Sequence, residues 1–411
     1  MTPAELSDSL KQQGIALAQN NHLIEAKQKF EQALTLAPQD AAALNNLGNI
    51  LDSLGEHDAA IAAYTQAISL QPNYKTAYLN LALTHQQLGN NSAAIDGFLK
   101  VRALDLASFQ ANHMLGICYF RIKEFKLALE AVEHALLIEP HNLQALQNLS
   151  SVLTILGEHE RSVQVLHQIV NIDPTHPTAN YHLAKLGQAA VPSAAPASYV
   201  IELFDEYAAT FEDQLVAKLN YQAPEQIAKI VNELNFNSNR GVANPITRVL
   251  DLGCGTGLVG GHLSAPHRQL VGVDLSAKML SVARTKNCYF ELVHSAIDRY
   301  LEVHHAPFDL VTSADVFIYI GDLNLIFSNV RRQLNDNGWF IFSVEKTDQP
   351  HFVLRSSGRY AHSEIYLRGL ATQYGFKQHA FVHHILRFDG GNPIEGWVVA
   401  LQKTSLTISF S

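Results

Sequence analysis

Through residues 7–176 small and large apolar positions return with a fixed period. Pro38, Pro72, Pro140 and Pro174 fall at multiples of 34 residues, with Leu106 at the missing step. One position of the period is always small: Gly14, Gly48, Ala82, Gly116 and Ser150. So is a second: Ala26, Ala60, Ala94, Ala128 and Ser162. Both mark places where two helices cross closely and a larger side chain would force them apart. Phe30, Tyr64 and Phe98 supply a large partner, and Gly55, Gly89 and Gly157 mark the turn inside each helix pair, where Asn21 and Lys123 stand instead of glycine. The pattern predicts five helix pairs beginning near Ser7, Ala41, Lys75, Phe109 and Leu143. A further helix over 177–186 is expected to cover the apolar face that the last pair leaves open.

Beyond residue 186 that period stops. Residues 187–197 are small, contain Pro192 and Pro196, and read as a linker of moderate stiffness. Tyr199 to Phe211 is apolar at helical spacing, and a second helix is expected from Pro224 to Leu234. Strands then alternate with helices, near 247–252, 269–274, 288–293, 309–314 and 338–345. This alternation predicts a parallel, doubly wound sheet. The tail differs: 381–387 and 397–402 flank Asp389-Gly390-Gly391-Asn392-Pro393, a hairpin turn signal. The expected organisation is an all-α repeat domain over 1–186, a linker over 187–197, and an α/β domain over 198–411.

The chemistry concentrates in the second half. Arg248-Val249-Leu250-Asp251-Leu252-Gly253-Cys254-Gly255-Thr256-Gly257 is answered by Val271-Gly272-Val273-Asp274. Two apolar runs, each ending in an acid, with a glycine-rich turn between them, read as adjacent parallel strands whose carboxyl ends line one crevice. Glycine lets the backbone approach a bulky ligand. Gly255, Gly257 and Gly260 also satisfy the dinucleotide pattern Gly-x-Gly-x-x-Gly with Asp274 beyond it. Asp251 separates the two readings, because a carboxylate two residues before the first glycine repels a pyrophosphate and attracts an ammonium or sulfonium.

The turn and its two acids resemble the cofactor site of class I S-adenosylmethionine-dependent methyltransferases, and the 34-residue period resembles tetratricopeptide arrays. A terminal strand hairpin on a parallel sheet belongs to the same methyltransferase class. Three further strings are similar to a bacterial family of methyltransferases that carry N-terminal tetratricopeptide repeats: Leu203-Phe204-Asp205-x-Tyr207-Ala208-x-x-Phe211, Phe308-Asp309-Leu310-Val311 through Leu323, and Ser357-Gly358-Arg359-Tyr360-Ala361-His362-Ser363. The resemblance implies a tetratricopeptide solenoid followed by a Rossmann-like, seven-stranded methyltransferase fold with S-adenosylmethionine as cofactor. It places Asp251, Gly253, Cys254, Gly255, Thr256 and Gly257 around the methionine portion, Asp274, Leu275 and Ser276 at the ribose, and Met279 at the adenine. Ala296 and Ile297 stand where the family usually has an acid for the adenine amine. Ala314 and Asp315 would border the sulfonium, and Tyr207 and Phe211 would close a lid.

For the acceptor, Asp315 and Tyr319 follow the fourth strand at the carboxyl edge of the sheet, where ligands bind in open α/β folds. Tyr360 and His362 fall in a polar, aromatic segment after the fifth strand, and His362 has the reference pKa best suited to take a proton near neutrality. In the array, Asn46, Asn80 and Asn148 share one position of the repeat, on the face that is concave in this family. Stacked amides there could bond the main chain of an extended peptide. The alternative is that asparagine simply faces water at this position.

Composition narrows the partners. The formal charge is −9, with no basic stripe, so nucleic acid is not an expected partner. Cys118, Cys254 and Cys288 are too scattered for a disulfide framework or zinc cage, and the 20 histidines show no ligand spacing, so no metal is expected. Residues 1–13 carry no basic stretch leading into an apolar one, and no run of about 18 apolar residues occurs. A cytoplasmic protein without membrane partners is the expectation. Three functions fit this chain. One is methyl transfer to a protein or peptide held by the array, and another is transfer to a small molecule while the array binds a partner. The third is a non-catalytic adaptor that binds the cofactor; in the first two the acceptor is undefined.

Overall fold

Paired helices fill the first half of the chain in this computed structural model, which describes residues 1–208, 210–212, 219–239, 246–265, 268–304 and 307–404. The pairs are α1 (Pro3–Gln19) with α2 (Leu23–Leu36), α3 (Ala41–Ser53) with α4 (His57–Leu70), α5 (Lys75–Gln87) with α6 (Asn91–Leu104), α7 (Phe109–Arg121) with α8 (Phe125–Ile138), and α9 (Leu143–Ile155) with α10 (His159–Ile172). Each helix packs on its chain neighbours. The small positions do what their spacing foretold: a Cβ on Gly14 would lie 2.9 Å from the Phe30 ring, and one on Gly48 would lie 2.5 Å from that of Tyr64. The intra-pair turns are left-handed at all five places. Gly55, Gly89 and Gly157 have φ of 77–79°, while Asn21 (φ 61°) and Lys123 (φ 66°) adopt the same conformation without glycine. For Lys123 this costs about 1–2 kcal/mol relative to its preferred backbone.

The three repeat asparagines are not equivalent. Asn80 Nδ2 donates to Asn45 Oδ1 (3.0 Å) and to Asn49 Oδ1 (2.8 Å), and Asn148 Nδ2 meets His113 Nε2 at 2.9 Å. Burial lowers the His113 pKa, leaving a neutral ring that accepts this bond. Two of the three amides thus stitch one repeat to the one before it. Asn46 is half-buried.

The chain divides into two compact units, Met1–His176 and Pro177–Ser411. The boundary therefore lies earlier than the sequence suggested. Helix α11 (Pro177–Lys185) belongs with the second unit, where the Tyr181 hydroxyl donates to the Gly358 carbonyl. The stretch read as a linker is pinned there as well. Ser193 O accepts from Gly321 N (2.7 Å) and Asp322 N (2.9 Å), and Ala195 N donates to Tyr319 O at 2.8 Å.

The second unit continues through α12 (Ala197–Tyr207) and α13 (Ala223–Asn239) into the alternating β1 (Arg248–Leu252), α14 (Leu258–Leu263), β2 (Gln269–Asp274), α15 (Ala277–Thr285), β3 (Glu291–His294), α16 (Ile297–Val303), β4 (Phe308–Ser313), α17 (Asn324–Gln333) and β5 (Leu334–Lys346). After these come β6 (Phe352–Leu354), β7 (Tyr360–His362), α18 (Glu364–Gln373), β8 (Phe376–Asp389) and β9 (Asn392–Lys403). Ala209, within the helix expected over 199–211, lies outside the described residues. The parallel order β3-β2-β1-β4-β5 carries β9 antiparallel on β5, and β8 on β9. The sheet has nine strands among the described residues rather than seven, because the segment expected as a loop after β5 forms β6 and β7. Apolar cores fill both faces: Phe327, Phe340 and Phe342 on one, Val231, Leu263 and Ile341 on the other.

Candidate active site

The carboxyl ends of β1, β2 and β4 converge on the glycine turn. Asp274, the last residue of β2, bridges the turn and the next helix. Its Oδ2 accepts from Gly255 N and its Oδ1 from Ser276 N, both at 2.8 Å. Ser276 caps α15 by accepting from Met279 N (3.1 Å) and donates to Asp205 of α12 at 2.5 Å. Leu275 O meets His294 Nε2 at 3.0 Å, and Ser295 N donates to Asp274 O at 3.0 Å. The ends of β2 and β3, with Ala296 and Ile297 opening α16, therefore form one continuous rim. Asp298 is exposed in the first turn of that helix. Met279 is buried under the rim, and Tyr207 is 39 % exposed at the end of α12, which packs on α15.

Asp251 sits deeper than its place in the motif suggested. It is 1 % exposed, with Oδ2 accepting from the Tyr289 hydroxyl (2.7 Å) and Oδ1 from Thr312 Oγ1 (2.9 Å). Burial lifts its pKa to about 6 against those two hydrogen bonds. Tyr289 is the residue that sequence reasoning missed. Its ring fills the space that side chains on Gly257, Gly260 and Gly272 would otherwise take, and a Cβ on Gly260 would overlap it. The third glycine of the apparent dinucleotide pattern is thus explained by a tyrosine inside the fold. By contrast, a Cβ on Gly255 would meet nothing within 4 Å. Thr256 Oγ1 is buried without a hydrogen-bond partner, and Cys254 is buried next to it.

After β4, Ala314 packs against the inner core and Asp315 takes φ 55°. Neither carboxylate oxygen of Asp315 is idle. Oδ1 accepts from Ser343 Oγ (3.0 Å), and Oδ2 pairs with Arg387 of β8. Tyr319 is 9 % exposed, its ring edge-on to Phe204 of α12 at 5.5 Å.

Tyr360 and His362, expected as acceptor-side groups, are taken out of the crevice by β7. Tyr360 donates to the Pro192 carbonyl at 2.8 Å. His362 is 0 % exposed, with Nε2 on the Gly321 carbonyl at 3.0 Å and its ring stacked on Tyr366. Burial lowers its pKa to about 4. A neutral ring with its N–H on a carbonyl cannot serve as a base for a substrate it does not reach. Both residues hold the fold. The pH dependence follows: between pH 6.5 and about 4 the unfolded chain takes up a proton that the folded one refuses, so stability falls as pH falls through that window. His362→Gln, which keeps a donor for Gly321, is expected to flatten that slope in urea titrations at pH 4.5 and 7.5. An unchanged slope would reassign the titration to another group.

Comparison with known proteins finds matches to both halves of the chain. The methyltransferase domain family matches residues 250–342, and tetratricopeptide repeats match residues 41–74 and 109–142. An uncharacterized protein of Haemophilus influenzae is 37 % identical over 109 residues, covering 24 % of this chain and 42 % of its own. A malonyl-[acyl-carrier protein] O-methyltransferase of Legionella pneumophila is 30 % identical over 149 residues, covering 34 % of this chain and 52 % of its own. A ubiquinone biosynthesis O-methyltransferase of Thiobacillus denitrificans is 32 % identical over 117 residues, covering 27 % and 50 %. The chain spans about half the length of the curated relatives it matches. It joins a tetratricopeptide repeat array to a methyltransferase domain.

Proposed function

We propose that the chain is an S-adenosylmethionine-dependent methyltransferase acting on an oxygen of an acceptor carried by a protein or peptide that the repeat array engages. The observation that carries the reading is the Asp274 clasp on Gly255 and Ser276, beside an open face at Gly255 and the unpartnered Thr256 hydroxyl. These residues fit a ligand with a polar amino-acid end and a ribose. Gly253, Cys254, Gly255, Thr256 and Gly257 would hold the methionine portion, Asp274, Leu275 and Ser276 the ribose, and Met279, Ala296 and Ile297 the base. Asp251 adds negative charge behind the turn; Ala314 marks the acceptor side, and Tyr207 the α12 rim.

When bound, that cofactor supplies a methyl group on a cationic sulfur. The residues around it mainly align the acceptor with it, which is where effective-molarity gains arise. Asp315 is oriented by Ser343 and Arg387, and Tyr319 presents an aromatic wall. His362 is held elsewhere, and an acceptor oxygen already ionised at working pH needs no base. Relatives named as O-methyltransferases, one of them for a malonyl group on acyl-carrier protein, support an oxygen acceptor borne by a protein. On the array, Asn46 and the remaining amide oxygens of Asn80 and Asn148 would bond a partner's main chain. The aromatic setting of Tyr319, edge-on to Phe204, supports a second reading, a small-molecule acceptor with the array binding a partner. Among the described residues no helix is long and apolar enough to cross a membrane.

The test is to incubate the purified chain and isotopically labelled methyl donor with a cell extract and follow the label by mass spectrometry. Label in polypeptides is expected. Label confined to metabolites selects the second reading, and donor neither retained nor consumed removes the enzyme assignment.

A further inference from the structure

Arg387 breaks the alternation of its strand. In β8 the pairing runs Ile385 with Glu395 and then Arg387 with Ile394, so Leu386 is an extra residue in a bulge. Leu386 and Arg387 are consequently both buried, where a regular strand would turn one of them outward. Gly396 of β9 makes the bulge possible, because a Cβ there would overlap Leu386. Bulges re-aim side chains. This one directs a 2 %-exposed guanidinium between two carboxylates, Asp315 of the turn after β4 and Glu345 of β5. A charge this deep is retained only when paired, and removing one partner leaves the other stranded.

What the pair holds is a left-handed turn. Asp315 has φ 55°, a left-handed conformation that L-residues other than glycine, asparagine and aspartate avoid. Three contacts fix it: Ser343 Oγ receives Asp315 N (2.9 Å) and donates to Asp315 Oδ1 (3.0 Å), while Arg387 takes Oδ2. The next residue, Val316, leans on the glycine turn so closely that a Cβ on Gly253 would overlap its Cγ2. Gly253 itself is left-handed, at φ 65°. A continuous line of contacts therefore runs from β8 through Arg387, Asp315 and Val316 to Gly253.

We propose that Arg387 is a positioning residue for the methyl-transfer site. By clamping Asp315 it fixes the turn after β4, and that turn holds the glycine loop in its binding shape. The proposal rests on the reading of the crevice as an S-adenosylmethionine site. It assigns the terminal hairpin a part in cofactor affinity, although its residues lie far along the chain from the turn they control.

The test is calorimetric titration of the full chain with S-adenosylhomocysteine, alongside thermal melts of each variant. Asp315→Asn keeps the left-handed backbone and leaves Arg387 paired with Glu345 alone, and about tenfold weaker binding, measured at a temperature where the melt shows the variant folded, is expected. Asp315→Gly, which frees the backbone and deletes the carboxylate, should lose as much. Arg387→Lys should fall between wild type and Arg387→Met, and Arg387→Met combined with Asp315→Asn should be no worse than the weaker-binding single variant, since both break one contact. If Arg387→Met does not fold, Arg387→Lys carries the arginine arm, and the two Asp315 variants still decide against the proposal when they bind as the wild type does. Affinities within about twofold of wild type in both of them overturn the proposal while leaving the methyltransferase reading intact. A wild-type chain that does not bind the ligand overturns that reading, and the proposal with it.

Discussion

Asp274→Ala is expected to weaken S-adenosylmethionine binding by about 1.5–3 kcal/mol, roughly ten- to a hundredfold or more. The carboxylate does two jobs at once. It satisfies Gly255 N and Ser276 N, which sets the glycine turn and the start of α15 in register, and it would also accept from the ribose hydroxyls of the proposed cofactor. Alanine leaves both N–H groups without an acceptor. Asp274→Asn should be nearly as harmful, because its amide offers one acceptor where two donors converge. Burial raises the pKa of Asp274, so the wild-type contact is expected to weaken as the group protonates in acid. Calorimetry at neutral pH is the measurement, and an Asp274→Ala variant that binds as the wild type does would remove the ribose assignment.

Gly260→Ala should destabilise the α/β unit by about 1–3 kcal/mol from overpacking alone. Its Cβ would overlap the Tyr289 ring, and that ring cannot retreat without withdrawing its hydroxyl from buried Asp251. Asp251 Oδ2, left without its donor while Thr312 still serves Oδ1, then adds about 1–3 kcal/mol. The neighbouring Gly261 provides the control. It lies in the same helix α14, and a Cβ there would meet nothing within 4 Å. Gly261→Ala should therefore stabilise by about 0.5–1 kcal/mol, the usual gain for alanine within a helix. Equal melting temperatures for the two variants would mean that Tyr289 is not the reason for Gly260.

How much of this was legible from residues alone depended on whether the signal was local. The repeat register, the strands β1, β2 and β4, and the hairpin follow from periodicity and turn residues. The strands and the hairpin are set by neighbours a few positions away, and the array repeats its register every 34 residues. Tyr289 was hidden because Cys288-Tyr289-Phe290 reads as the start of a strand, and nothing local says that its ring points at three glycines. Arg387 was hidden by the bulge, which no alternation rule foresees. Tyr360 and His362 misled for the reverse reason: a dense set of polar and aromatic residues resembles a site, yet two short strands bury it. Asn80 and Asn148 were legible as sharing one position of the repeat, but their engagement with Asn49 and His113 depends on how successive repeats abut. The bond from Ser276 to Asp205, which ties α12 to the rim, joins residues 71 positions apart and leaves no local signal.

The anchoring of residues 192–195 also sets where the C-terminal half can be cut free. A fragment begun at Ser198 would strip the Ser193 carbonyl from Gly321 N and Asp322 N, the Pro192 carbonyl from Tyr360, and Tyr181 from Gly358. Unmet donors would then be left under the very segment that carries Tyr319. A C-terminal half begun at Pro177 keeps all of these contacts, and crystallisation or binding measurements on the isolated half should begin there.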